Sequence, residues 1–480
     1  MARYPLLLVQ SLLLVCPVFA AEDAIQIGSR RVLFLDDLLV DTLTGNAELK
    51  LHHPVPREVV FTANRPWEGN LMFHLSVFRD GDIYRMYYRG WDYDEQRNSM
   101  SQHKVICYAE SRDAIHWVRP NLGIVEFQGS RENNIILDCK QGVASNGAFA
   151  VFRDDNPQCN PAARYKTLAL HARNGKGLYA FGSTDGVRWS LLDDRPRITR
   201  GKFDSHNLAF WDGEAGVYRA YWRWFDRGVR AIRTATSRDF IHWSEGVDLQ
   251  FGDAPHEHLY TNSVQRYPRA PQFLIGFPKR FLPSRKSPTG FAIPGVSDGV
   301  LMSSRDGVRF HRWPEAFIRP GPQPDRWVNR NNFTAWGLLE TPSALEDAPA
   351  ELSLYSTEGY YRGPATRLRR YSLRLDGFVS LHAWLSGGEL ITKPITFVGT
   401  QLKINFSTSA RGSIRIELQD AAGEPIEGYA LADCPEIFGD EVERVVRWNH
   451  GSDLSEAARR PIRLRLSVKD ADVFSFQFAR

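Results

Sequence analysis

Ser111-Arg112-Asp113-Ala114-Ile115-His116-Trp117 is the stretch that decides the fold, because it returns. The second copy is Ser183-Thr184-Asp185-Gly186-Val187-Arg188-Trp189 and the third is Ser237-Arg238-Asp239-Phe240-Ile241-His242-Trp243. Ser304-Arg305-Asp306-Gly307-Val308-Arg309-Phe310 is the fourth, and Ser372 through Asp376-Gly377-Phe378 is a degenerate fifth. Repetition at such a period marks a modular architecture. In each copy the Ser and Asp side chains are suited to bonding nearby backbone amides in a tight turn, with the aromatic anchoring the turn on a sheet. Upstream of each copy lies an alternating run, a polar turn and a second run dense in Tyr and Trp. Before the first copy these are 72–78, Asp80-Gly81-Asp82 and 84–88; before the third they are 208–211, Asp212-Gly213-Glu214 and 218–224. Alternation around Gly/Asp turns predicts hairpins.

A unit of about 55–70 residues with three or four antiparallel strands is a propeller blade. The chain therefore reads as all-β, a five-bladed β-propeller over 30–385. The alternative is a β-sandwich in which the turns recur by coincidence. Arg31 to Leu51 is expected to form a strand pair that helps close the ring. Beyond Gly387 the alternation continues without the Ser-x-Asp turn, at 402–406, 413–418, 443–448 and 462–468, which predicts a small C-terminal β-sandwich over 387–480.

Composition narrows the function. Of 480 residues, 43% are hydrophobic and 24% charged, ordinary for a folded globular chain. The 60 Lys and Arg against 56 Asp and Glu leave only +4, which argues against a dedicated nucleic-acid binder. The one long apolar run is N-terminal: Arg3, the apolar 6–15 and Val18-Phe19-Ala20 read as a signal peptide over 1–20. The mature protein is expected to be secreted or periplasmic, without membrane attachment after cleavage, and monomeric. Cys107, Cys139, Cys159 and Cys434 show no CxxC spacing. In an oxidising compartment Cys139 with Cys159 is the most local disulfide pair; free buried thiols are the alternative.

In a blade, the start of the first strand and the end of the second meet at one face of the ring. Those positions are rich in polar groups. Strand starts hold Trp67-Glu68-Gly69-Asn70, Ser145-Asn146, Asp204-Ser205-His206-Asn207, His256-Glu257-His258 with Tyr260-Thr261-Asn262, and Arg330-Asn331-Asn332. Strand ends hold Arg89 and Trp91, His171 and Arg173, Arg223 and Asp226, Lys279 and Arg280, and Glu358 with Tyr360. Glu68, Asp204 and Glu257 come from different blades, so they are the candidate catalytic carboxylates. Glycoside hydrolysis needs one acid to protonate the leaving oxygen and another to attack or to activate water. Trp67 and Tyr260 suit the face of a sugar ring. Asn70, Asn146, Asn207, Asn262, Asn332, His206, His258, Arg223, Arg280, Arg330 and Glu358 suit its hydroxyls or charges. Each also has a structural reading: Glu68 could pair with Arg65, and Asp204 could cap a turn. His256 and His258 point to one side with Glu257 opposite and no evident third ligand, so no metal or other cofactor is assigned.

The chain resembles the five-bladed β-propeller glycoside hydrolases of the invertase, levansucrase and arabinanase type, families 32, 43 and 68. The resemblance spans about residues 30–385. It is carried by the Ser-x-Asp-x-x-x-Trp turns, by the acids at first-strand starts and by the C-terminal β-sandwich. It implies three acids in the funnel: a nucleophile or base, a transition-state stabiliser, and an acid/base, the roles open to Glu68, Asp204 and Glu257. The Trp-x-Asn-Asp-Pro-Asn-Gly opening of that group is replaced by Arg65-Pro66-Trp67-Glu68-Gly69-Asn70. Its Arg-Asp-Pro and Glu-Cys-Pro motifs are missing, and His256-Glu257-His258 is the nearest acidic motif, which marks a distant branch.

Three functions compete. The first is a secreted glycoside hydrolase acting on a poly- or oligosaccharide, its arginines accommodating acidic or sulfated sugars. In the second, a polysaccharide lyase, Arg223, Arg280 and Arg330 hold a uronate while His206, His258 or Tyr260 takes the proton. The third is a non-catalytic glycan-binding propeller. All three have carbohydrate as partner.

Overall fold

The computed structural model describes residues 24–139, 144 and 147–480. The expected signal peptide and Asn146 lie outside the described residues. Among the described residues there is no α-helix; strands and a few 3-10 turns make up the regular structure. The chain divides into two units, one over Leu33–Asp36 and Leu49–Ser380, the other comprising Asp37–Glu48, Leu381–Arg480 and the described residues up to Val32.

The larger unit is a succession of antiparallel sheets. Ser76–Asp80, Ile83–Asp94 and Ser99–Ser111 form the first, with Trp117–Val118 and Ile135–Asp138 both on its outer strand. Phe152–Arg153, Tyr165–His171, Gly177–Ser183 and Ser190–Leu191 form the second; Leu208–Asp212, Val217–Asp226, Val229–Ser237 and Val247–Asp248 form the third. The fourth group is split into His258–Leu259, Lys279–Leu282, Val296–Gly299 and, separately, Gln265–Arg266, Leu274–Gly276, Met302–Ser304, His311–Arg312. The fifth pairs Leu339–Thr341, Glu351–Glu358 and Arg367–Arg374 with Val55–Thr62.

The Ser-x-Asp turns link third strands to fourth. In the first, the Ala114 amide donates to Ser111 Oγ at 2.9 Å, while the Ile115 and His116 amides donate to Asp113 Oδ1 at 2.9 and 2.7 Å. The Asp185, Asp239 and Asp306 carboxylates receive the equivalent amides. The residue after each Asp is left-handed: Ala114 at φ 63°, Gly186 at 83°, Phe240 at 68° and Gly307 at 80°. Three tryptophans, Trp117, Trp189 and Trp243, donate their indole N–H to the carbonyl of that residue. The degenerate fifth copy works differently. Asp376 is fully buried and accepts from Tyr267 Oη at 2.6 Å and Arg269 Nε at 2.9 Å, so it ties the fifth sheet to the fourth.

Neighbouring sheets are stitched in a cycle. The Val151 amide donates to Ser76 Oγ (3.0 Å) and Tyr218 Oη to Asp154 (2.6 Å). Ser205 Oγ then donates to the Tyr260 carbonyl (2.8 Å) and Ser263 Oγ to the Thr334 carbonyl (3.0 Å). The fifth sheet returns to the first, where the Val77 amide donates to the Trp336 carbonyl at 2.7 Å and the Trp336 amide to the Leu75 carbonyl at 2.9 Å. Between the sheets lie large buried rings such as Tyr221, Trp222, Phe240 and Trp336, whose burial supplies most of the driving force.

The strand that joins the chain's early residues to the fifth sheet is Val55–Thr62, not the expected 31–51 segment. Val40–Gly45 instead pairs with Gly388–Thr392 in the smaller unit. There Gln401–Asp420 and Ile462–Ala479 run antiparallel over nearly their whole length, with a bulge between Thr408 and Ser413. Leu402, Ile404, Phe406, Ile414, Ile416 and Leu418 alternate into the core, as a half-buried strand requires. Of the two readings left open for the cysteines, the free-thiol one holds: all four described cysteines, Cys139 and Cys159 included, are free.

Candidate functional site

Tyr260 is the centre of the most charged cluster at the sheet ends. Its ring is buried and ringed by cations: Lys279 Nζ at 4.3 Å from the centroid, and the guanidinium carbons of Arg223, Arg230 and Arg330 at 5.1, 5.3 and 5.7 Å. These distances are within cation–π range. The residues come from two sheets and a loop: Arg223 and Arg230 from adjoining strands of the third sheet, Lys279 from the fourth group, and Arg330 from the loop before the fifth. Arg330 adopts φ 66°, a left-handed conformation that aims its side chain past Tyr260 toward Tyr361, 5.5 Å from that ring centre.

One carboxylate joins this cage. Asp204, largely exposed, accepts a hydrogen bond from Arg223 Nη2. Partial burial would raise its pKa, but the Arg223 hydrogen bond and charge, with the charge of Arg330, outweigh it and hold the carboxyl below its usual value. Lys279 is fully buried and its Nζ has no hydrogen-bond partner. Burial first, and then the charges of Arg330, Arg230 and Arg223, push its amine well below the ordinary lysine range.

Beside the cage lies a dry floor. His74 and His206 are both buried, with ring centroids 5.6 Å apart and planes 25° apart. Phe73 lies against His74, ring centroids 3.8 Å apart and planes tilted by 45°, and packs on Phe333 at 4.2 Å. Arg89 passes above Phe73, donating to the Leu71 carbonyl and to Tyr360 Oη at 2.8 Å. Burial lowers the pKa of His206 to about 3 and that of His74 well below its ordinary value, so both rings are neutral.

The three candidate carboxylates do not converge. Glu68 has a side chain with no exposed surface. It accepts from Arg119 Nε at 2.7 Å, Tyr88 Oη at 2.5 Å and the Arg65 amide at 3.0 Å. Arg119 in turn donates to the Thr62 carbonyl, so Glu68 is a clamp within the sheet packing rather than a group open to a ligand. Glu257 pairs with Arg312 at 3.0 Å and Arg280 at 3.8 Å. Alternation explains its position: His258 and Tyr260 share one side with Lys279, so Glu257 faces the other, into a separate cavity of about 270 Å³ that also holds Asp226, His256 and Arg230. His256 Nε2 lies 3.1 Å from Asp226. Asp204 alone among the three meets the cage.

Several expected ligand-binding side chains are spent on structure. Glu358 is buried and accepts from Arg369 at 2.9 Å, with Arg367 at 3.7 Å. Asn70 holds Tyr93 and Gly363 through three bonds of 2.9 Å. Asn332 receives Arg326 at 2.6 Å and donates to the Ser297 carbonyl, and Asn262 donates to the His206 carbonyl. Arg280 makes a bidentate pair with Asp298 at 2.9 and 2.7 Å. Asn207 donates to the Phe203 carbonyl but leaves its Oδ1 unmatched. His258 Nδ1 accepts from the Arg230 amide at 3.2 Å, which puts the proton of the neutral ring on Nε2. Trp67 lies apart from the cage; its indole donates to Asn134 at 2.8 Å, and with Trp91 and Phe127 it lines a cleft of about 490 Å³.

Arg230 and His74 are the members that reading by position missed, and of the strand-end pair Lys279 and Arg280 it chose the arginine. Lys279 and Arg280 are adjacent at a strand end, and period-two alternation sends only one inward; it is the lysine. Arg230 opens a third strand, a position outside the rule. His74 sits at φ 56° in a run of apolar residues that reads as plain core.

No known protein family and no curated protein matches the chain. Solved structures similar to it include a glycosyl hydrolase from Bacteroides ovatus (15% identity, TM-score 0.40, covering 72% of this chain and 94% of that one). An α-L-arabinofuranosidase from Clostridium thermocellum is similar at 12% identity and TM-score 0.38, covering 64% and 91%. An N-acetylgalactosamine deacetylase from F. plautii, in complex with blood group B trisaccharide, is similar at 13% and TM-score 0.40, covering 69% and 94%.

Proposed function

We propose that the chain is an exported glycan-active enzyme, a glycosidase built on a five-bladed β-propeller with a C-terminal β-sandwich. The observation that carries this is the Asp204–Arg223 pair at the edge of the cage around Tyr260. An ionised carboxylate beside an aromatic ring and several fixed donors is what a base or nucleophile in glycoside cleavage needs. Asp204 takes that role. Glu257 is engaged by Arg312 and Arg280 on the far side of its strand from the cage.

A reducing-sugar screen over oligosaccharides and polysaccharides tests the reading. Wild-type protein should release reducing ends from at least one glycan, and Asp204→Asn should lower that rate by about 100-fold or more. Release unchanged in that variant would remove Asp204 from the chemistry.

One observation favours a second reading. Lys279 is a buried amine among three guanidinium groups that, with burial, push its pKa well below the ordinary lysine range, an arrangement suited to taking a proton from a sugar whose carboxylate the arginines neutralise. That would be a lyase. Its product, an unsaturated uronide, absorbs in the near ultraviolet, whereas a hydrolysis product does not.

A further inference from the structure

Elsewhere in the larger unit several guanidinium groups meet carboxylates. Arg370 meets Glu58 and Glu351 at 2.9 and 2.6 Å, Arg219 meets Asp212 at 3.0 Å, and Arg305 meets Asp36 at 2.6 Å. The cage around Tyr260 breaks this pattern. Three guanidinium groups and one amine stand against one carboxylate, and that carboxylate is taken by Arg223. Neither Arg230 nor Arg330 forms an ion pair among the described residues, and the Nε of each is buried without a partner. Arg230 feels the repulsion: burial and then the charges of Arg223 and Arg330 lower its pKa, against the pull of Tyr260 and Asp204.

Half-buried cations whose Nε is sealed from water and that have no ion-pair partner are unfavourable, and a planar guanidinium fork is matched by a planar or tetrahedral oxyanion. Neutral hydroxyls would need donors here, but not an excess of fixed positive charge. We propose that the sugar unit seated beside Tyr260 bears an oxyanion substituent, a carboxylate or a sulfate ester, held between Arg230 and Arg330. The inference rests on the glycan reading above and names the substrate class. Arg230 and Arg330 recognise the substituent, Asp204 stays ionised at its flank, and the cage's net positive charge draws the polymer in.

Calorimetric titration with matched oligosaccharide pairs tests this: oligogalacturonides against their carboxyl-reduced twins, and carrageenan fragments against their desulfated twins. The charged member of at least one pair should bind about tenfold or more tightly than its twin, and its affinity should fall as salt rises. The pair that responds distinguishes carboxylate from sulfate. Arg230→Gln should abolish the preference while leaving the unfolding midpoint in place; Arg330→Lys, which keeps the buried charge, should retain part of it. Equal affinity for both members of every pair, or a preference untouched by Arg230→Gln, overturns the inference. Charged glycan bound in this way but never cleaved would instead defeat the glycosidase reading and leave the anion site standing. A neutral glycan cleaved at full rate by Arg230→Gln would do the reverse.

Discussion

The rings of His74 and His206 stack 5.6 Å apart, and none of their four nitrogens has a hydrogen-bond partner. Both are neutral in the folded chain, whereas a histidine in the unfolded chain titrates near 6.5. Below about pH 6.5 the unfolded chain therefore binds protons that the folded pair refuses. Stability is complete above that pH and declines toward acid, for His206 until its folded value of about 3 is reached. From pH 7 to pH 5 one such ring costs about 2 kcal/mol. Urea unfolding at the two pH values should show His206→Phe losing about that much less than wild type. Parallel losses would mean that the ring is protonated or hydrated in the folded protein.

Glu68 and Asp204 should separate stability from activity. Glu68 is sealed against Arg119, so Glu68→Gln leaves a buried guanidinium without its counter-charge and should lower stability by about 3 kcal/mol. The glycan-cleaving rate of the folded fraction should stay within about twofold of wild type. Asp204 is 66% exposed at its side chain, so in Asp204→Asn water and the amide oxygen still reach Arg223, and the thermal midpoint should fall less than in Glu68→Gln while activity is suppressed. Thermal melts alongside single-substrate kinetics check both, and the opposite pattern would reinstate Glu68 as a site residue.

The turns were legible because their signal is local. Ser, Asp and an aromatic at fixed offsets specify their own hydrogen bonds within seven residues, and the strands between follow from alternation. That Glu68 and Glu257 meet Arg119 and Arg312 instead of the cage was not legible, because position along a strand says that a side chain is near a sheet end, not what faces it. Arg119 and Arg312, which take those carboxylates, lie 51 and 55 residues away in sequence. The cage around Tyr260 is non-local for the same reason, with members drawn from two sheets and a loop. Asp376 shows the reverse case: a weak match to the repeat, it turned out to serve as a bridge to Tyr267 and Arg269.

Asp239 should be worth more than its exposure implies. Its Oδ1 receives the Ile241 and His242 amides at 2.9 and 2.8 Å, and Oδ2 lies 2.7 Å from His242 Nδ1. These bonds hold Phe240 at φ 68°, where a bulky residue is disfavoured, with its ring fully buried between sheets. Asp239→Ala should cost about 1–2 kcal/mol in chemical denaturation. Ala114→Gly, which relieves the same left-handed strain in the first turn but loses one buried methyl, should change stability by less than about 1 kcal/mol.

Gly337 is where the cycle of sheets is most sensitive to a single methyl group. Trp336 exchanges backbone bonds with Leu75 and Val77, joining the fifth sheet to the first. Gly337 follows at φ 133°, a conformation closed to side-chain-bearing residues, and a Cβ there would sit 1.9 Å from the Val77 carbonyl oxygen. The obstacle is backbone on a neighbouring sheet, so no rotamer change relieves it. Gly337→Ala must push the two sheets apart or twist the 336–337 peptide, and either breaks the Val77–Trp336 bonds. Because this seam joins the last sheet to the first, the loss should be larger than for a comparable clash within one sheet. We expect at least about 3 kcal/mol, read as a large drop in the unfolding midpoint or as failure to recover folded protein. The same substitution at Gly81, which also has positive φ but open space around its Cβ position, should cost only about 1 kcal/mol. Equal effects at the two positions would show that the seam does not hold the sheets together.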